Sequence, residues 1–161
     1  MTYEDMLALA EEMGVEIVDF HFTDGLRGLC VDNHIAITAE AESDTERKCV
    51  LAEELGHFVT GSGDITGRED IKAENRGRRW GYDILVPLDD MIAAAQSGCQ
   101  NLAEMADYLD ITEPYLLEAL AAYERKYGLF LEYKNYAVFF SPLSIAVYRY
   151  DELQEFYAVS E

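Results

Sequence analysis

The sequence predicts an α+β fold that is mainly helical, with a small N-terminal β-sheet, a helix-turn-helix-like helical pair and a C-terminal hairpin. Three observations predict it. Apolar residues recur at helical spacing in several capped segments, short β-branched runs follow the first of these, and a second alternating run follows Gly128. The 161 residues suffice for one domain, 1–161, since neither repeats nor a low-complexity linker divide them.

Thr2, with Asp5 three residues on, starts a helix whose apolar positions are Met6, Leu7, Leu9, Ala10 and Met13 and whose stop is Gly14. Val15 to Phe22, "VEIVDFHF", reads as a strand. "RGLCV" and "HIAIT" flank Asp32-Asn33 and read as a hairpin. The next helix spans about 44–60, with Ser43, Asp44 or Thr45 available as N-cap and Gly61 as stop, and Leu51, Leu55, Phe58 and Val59 as its apolar face. A glycine-rich loop, "GSGDITG", leads to a helix of about 68–85. Pro87 interrupts that helix, and "LDDMIAAAQSG" resumes it.

Residues 101–128 have a helix-turn-helix rhythm. Leu102, Met105, Ala106 and Leu109 form one stripe and Leu116, Ala119, Leu120 and Tyr123 the other, with a turn at 110–112. A DNA-reading pair needs cations on its second helix, and this one is acidic until Arg125 and Lys126, so packing or protein recognition is expected. "LFLEYKNYAVFF" alternates around Lys134-Asn135 as a closing hairpin. The tail from Ser141 is apolar enough to pack, but its pattern assigns it to no element.

Asp and Glu total 32 against 12 Lys and Arg, for a formal net charge of -20. Phosphate backbones are repelled by such a chain, so direct nucleic-acid binding is not expected and a basic partner fits better. No apolar run approaches the ~20 residues that span a bilayer, and the acidic, amphipathic N-terminus lacks the form of a secretory leader. Cys30, Cys49 and Cys99 are odd in number and scattered, as expected for reduced core thiols in a cytoplasmic protein.

The chemistry concentrates in Glu53-Glu54-Leu55-Gly56-His57. Residues four apart on a helix project from one face, so Glu53 and His57 have the spacing of two metal ligands, and Glu54 stands where a general base reaches the attacking water. A carboxylate ligates zinc about as closely as an imidazole does, so Glu53 is compatible with the pattern. Gly56 costs ~1 kcal/mol inside a helix relative to alanine and implies a close approach there. A third ligand must come from elsewhere. Glu74 is available for that role, although from spacing alone a surface pair with Arg78 at i+4 is the better explanation of it. The bland account of the whole motif is a solvated acidic face with an incidental histidine. Cys49 reads as a buried hydrophobe, His21 and His34 as solvent or core residues, and Tyr82 as a buried aromatic.

Beyond the motif, the stretches "CVLAEELGHFVTGSGDIT", "ENRGRRWGYDILVPLDDMI", "NLAEMADYLDITEPYLLEAL" and "YERKYGL" resemble the ImmA/IrrE metallopeptidases, in particular their short Gram-positive and mobile-element branch. That branch has Glu-x-x-Ala-x-x-Trp-Ala-Tyr and a Pro where this chain has Glu74, Gly77, Trp80, Gly81, Tyr82 and Pro87, and it commonly carries Glu-Glu-x-Gly-His. Gly77 and Gly81 replace alanines.

The resemblance implies a zincin-like fold, a metal held by Glu53, His57 and Glu74, and Glu54 as general base. It also implies cleavage of a helix-turn-helix repressor of a prophage, mobile element or stress response. Zinc is the expected metal and manganese the second choice, because two carboxylates make the ligand set harder and should damp the acidity of the bound water. Two other classes compete. One is an acidic antirepressor or DNA mimic that sequesters a DNA-binding partner without catalysis. The other is a structural zinc site, which usually takes four ligands.

Overall fold

The computed structural model describes residues 1–61, 70–149 and 152–158. They form two compact units, Met1–Leu85 and Val86–Glu161. The glycine-rich loop after Gly61 and the first two residues of the expected 68–85 helix lie outside the described residues.

In the first unit, α1 (Tyr3–Glu12) starts at a capping box: the Thr2 hydroxyl accepts from the Asp5 N–H and the Asp5 carboxylate from the Thr2 N–H. Gly14 follows the helix at a φ of 74°, where a side chain would be strained. Three strands come next: β1 (Glu16–Phe20), β2 (Gly28–Val31) and β3 (His34–Thr38). The β1 strand is shorter than the 15–22 run suggested, so His21 falls just beyond it. The hairpin is β2–β3, and β1 lies parallel to β3 on its other side. The sheet order β1-β3-β2 therefore leaves β2 as an edge strand.

Ile35 and Ile37 of the central strand and Cys30 of the edge strand are buried, and α2 (Asp44–Thr60) packs on β2 and β3. Ser43 caps α2 by accepting from the Glu46 N–H, and Gly61 ends it in the left-handed region. Leu51 and Leu55 are fully buried as the sequence predicts. The remainder of the buried face runs through Lys48, Ala52, Gly56 and His57, and Val59 is exposed. The apolar face is rotated from the expected one because α2 is covered by α3 (Asp70–Leu85) as well as by the sheet. Small residues make that second contact close.

The second unit begins with α4 (Leu88–Gln96), which Pro87 precedes as N-cap. The helical pair is α5 (Leu102–Leu109) and α6 (Glu113–Tyr127). Asn101 and Thr112 are the N-caps, and Asp110 turns the chain in the left-handed region. Met105, Ala106, Leu109, Leu116, Ala119, Leu120 and Tyr123 are buried, which is most of the two expected stripes. The buried Tyr123 hydroxyl donates to the Val86 carbonyl at 2.9 Å.

The C-terminal hairpin, β4 (Phe130–Tyr133) with β5 (Tyr136–Phe140), is only half of its sheet. The tail continues as β6 (Leu143–Arg149) and β7 (Glu152–Ala158) in an antiparallel order β4-β5-β6-β7. Leu143, Ile145 and Val147 supply buried positions along β6.

Candidate metal centre

The site is built in the first unit where α2 crosses α3. Gly56 and Gly77 meet at the crossing: a methyl group added to Gly56 would lie 2.0 Å from the Gly77 carbonyl oxygen. One added to Gly77 would lie 2.8 Å from the His57 Nδ1. The glycine inside the motif thus has the close-approach role that its helix cost implied, and the partner is the backbone of α3 rather than a ligand. Gly77, too, does more than weaken its helix, because the space it leaves is occupied by the His57 ring.

Backbone contact at the crossing brings Glu74 of α3 against the motif of α2. Glu53, His57 and Glu74 each offer one ligand atom, and these three atoms lie within 4.8 Å of one another. His57 is buried, and its Nε2 stands 3.3 Å from Glu74 Oε2. Donors bound at ~2.1 Å to one tetrahedral ion stand about 3.4 Å apart, so the imidazole and this carboxylate oxygen already have the required spacing. One nitrogen and two carboxylate oxygens are a donor set suited to zinc or to a harder divalent ion.

The surface-pair explanation of Glu74 is also present, and the two roles are compatible. Arg78 Nε lies 2.7 Å from Glu74 Oε1, leaving Oε2 toward His57. The same Nε is 2.9 Å from Glu53 Oε1, so one guanidinium spans both carboxylates. Burial opposes charge on Arg78, but Glu53 and then Glu74 outweigh it and hold the group more basic than usual. The bridge to Glu53 escaped the sequence reading, which could see the i+4 relation to Glu74 but not the helix crossing.

Glu54 points to a different wall. A methyl group on Gly28 of β2 would fall 2.5 Å from Glu54 Oε1, so the edge strand lies directly on this carboxylate. The Cys30 backbone hydrogen-bonds to it. Burial, then the charges of Glu53 and Glu74, push its pKa up to about 8, against the opposing pull of Arg78 and Cys30. In the metal-free protein this environment favours the neutral carboxyl form of Glu54.

The other two histidines pair with carboxylates outside this cluster. His21 Nδ1 pairs with Glu40 at 2.7 Å and His34 Nε2 with Glu16 at 3.4 Å, both exposed. Cys49 and Tyr82 are buried, as expected. Cys30 is buried as well, its thiol pushed up to about 11 by desolvation and then by Glu54 and Asp32, while Cys99 is partly accessible. Among the described residues, no helix is long and apolar enough to cross a membrane.

A helix carrying Glu-Glu-x-Gly-His, met by a glutamate from a second helix beside an edge strand, is a candidate metallopeptidase-type centre. The chain belongs to the family described as the IrrE N-terminal-like domain, Peptidase_M78, whose model matches residues 1–121. The match covers the whole first unit and continues through α4, α5 and much of α6. No curated protein matches the chain.

Proposed function

We propose that the protein is a zinc-dependent endopeptidase that cleaves a basic helix-turn-helix repressor, with Glu53, His57 and Glu74 as metal ligands and Glu54 as general base. The observation that carries this reading is the convergence of three ligand atoms from two helices within 4.8 Å, beside a half-buried carboxyl group at the position after the first ligand. The divalent cation would supply a Lewis acid for the scissile carbonyl and lower the pKa of water toward ~7.

The chain's own residues do the rest. Glu54, rendered anionic by the nearby cation, takes the proton of the attacking water and delivers it to the leaving amine. Arg78 bonds one oxygen of Glu74 and one of Glu53. Among the described residues no strand pairs with the outer edge of β2, which lies against Glu54 and would offer backbone groups to an extended peptide. A net charge of -20 favours a substrate with a basic surface, as a DNA-binding repressor has. Localisation in the cytoplasm, where such a repressor works, belongs to the same proposal.

The same charge also favours a second reading, sequestration of the DNA-binding partner without hydrolysis. Incubation of the zinc-loaded protein with a basic helix-turn-helix repressor separates the two. Cleavage by the wild type and none by Glu54→Gln supports the peptidase. Capture of the intact partner by both proteins, with no cleavage, contradicts it.

A further inference from the structure

The donor set raises a question of charge. A divalent ion held by two histidines and one carboxylate has a formal charge of +1 with its ligands, whereas one held by Glu53, His57 and Glu74 has none. Arg78 lies where the difference can be made up. Its Nε is 2.9 Å from Glu53 Oε1 and 2.7 Å from Glu74 Oε1, so the guanidinium touches both anionic ligands and restores a formal +1 to the group. It does so without occupying the ligand position on Glu74, because Oε2 is the oxygen that faces His57 Nε2 at 3.3 Å. Arg78 stands one turn after Glu74 on α3, and the Gly56–Gly77 contact brings that face within reach of Glu53.

The geometry points to Arg78 as a built-in counter-cation of the metal centre, a positioning residue that offsets the carboxylate introduced by Glu53 and sets how tightly the site holds a divalent ion. This inference rests on the metal-binding reading above.

Two consequences follow from the position of the charge. A guanidinium bonded to the ligands repels the incoming ion, so it weakens metal binding and keeps the bound ion electron-poor. It also offsets part of the charge of Glu53 and Glu74 in the metal-free protein, where two carboxylates would otherwise face each other without a cation. A residue that merely shaped the pocket would have the opposite effect on affinity, since its loss would loosen the ligands.

The test is the dissociation constant of Zn2+, measured by chelator competition on wild type, Arg78→Gln and Arg78→Lys. A unit charge about 6 Å from a divalent ion changes affinity by roughly tenfold even when screened as in bulk water, at a dielectric constant of about 80. Arg78→Gln is therefore expected to bind zinc about tenfold more tightly, and Arg78→Lys, which keeps the charge, to stay within about threefold of wild type. Misfolding cannot mimic a gain in affinity. Equal or weaker binding by Arg78→Gln overturns the inference, as does equal tightening in both variants. Wild-type protein that binds no zinc removes the metal reading itself, a result distinct from unchanged affinity among binding-competent variants.

Discussion

Gly56→Ala is the substitution that probes the helix crossing most sharply. The added methyl group would sit 2.0 Å from the Gly77 carbonyl oxygen and 2.7 Å from its carbon. Real Cβ contacts are essentially never under 3.0 Å, so the two helices must separate by about 1 Å. The obstacle is backbone, which cannot rotate away as a side chain does. Against this, alanine in a helix interior contributes ~1 kcal/mol relative to glycine. Overpacking costs ~1–3 kcal/mol, and a backbone obstacle places this site at the upper end, for a net loss of about 2 kcal/mol. The separation also carries Glu74 away from Glu53 and His57, whose ligand atoms lie within 4.8 Å, so zinc affinity should fall at least about tenfold. Urea unfolding of the metal-free protein, followed by circular dichroism, reads the first quantity and chelator competition the second. A variant as stable as wild type with unchanged zinc affinity would refute the close crossing as the device that assembles the site.

Other substitutions separate the parts of the site. The three atoms nearest the methyl group of Gly28→Ala are side-chain atoms, Glu54 Oε1 at 2.5 Å, Glu54 Cγ at 2.7 Å and Val50 Cγ1 at 2.8 Å, so it should displace the base and lower kcat while zinc binding persists; steady-state cleavage alongside metal analysis checks this. The raised pKa of Glu54 makes stability depend on pH. Between the ordinary value of 4.5 and about 8 the folded, metal-free protein holds a proton that the unfolded chain has released. Its stabilising contribution is fully present below 4.5 and lost as pH rises through about 8. Urea midpoints of the metal-free protein should therefore fall from pH 5 to pH 8, and Glu54→Gln should flatten that slope; an unchanged slope would exclude Glu54 as its source. Thiol labelling at pH 8 should modify Cys99 first, because Cys30 is buried with a thiol pushed up to about 11 and Cys49 is buried. Peptide mass mapping would identify the labelled cysteine, and early labelling of Cys30 would contradict the closed sheet–helix packing.

The sequence made the site's helix legible because its signals are local. Ser43 and Gly61 bracket α2, and the i, i+4 relation of Glu53 and His57 follows from helical geometry alone. Glu74 was a different case. Its spacing to Arg78 favoured nothing beyond a surface pair, and only the resemblance to a family made it a ligand. The contact that brings Glu74 beside the motif, Gly56 on Gly77, is between backbones and leaves no periodic signature beyond an unexplained glycine. For the same reason the Arg78–Glu53 pair was hidden. The apolar face of α2 was expected to include Val59 because residue type alone cannot reveal that two elements cover the helix from different sides. In the second unit, alternation announced β4 and β5, whereas β6 follows Pro142 and contains the run Ile145-Ala146-Val147, buried throughout, so no alternation marked it as a strand.

The central claim is that α2 and α3 together hold one metal ion. Elemental analysis of the purified protein after dialysis without chelator, made beside Glu53→Ala, His57→Ala and Glu74→Ala, tests it directly. The account predicts close to one equivalent of zinc or manganese in the wild type, lost in each variant. Wild-type protein that holds no metal even after zinc is added back would contradict it.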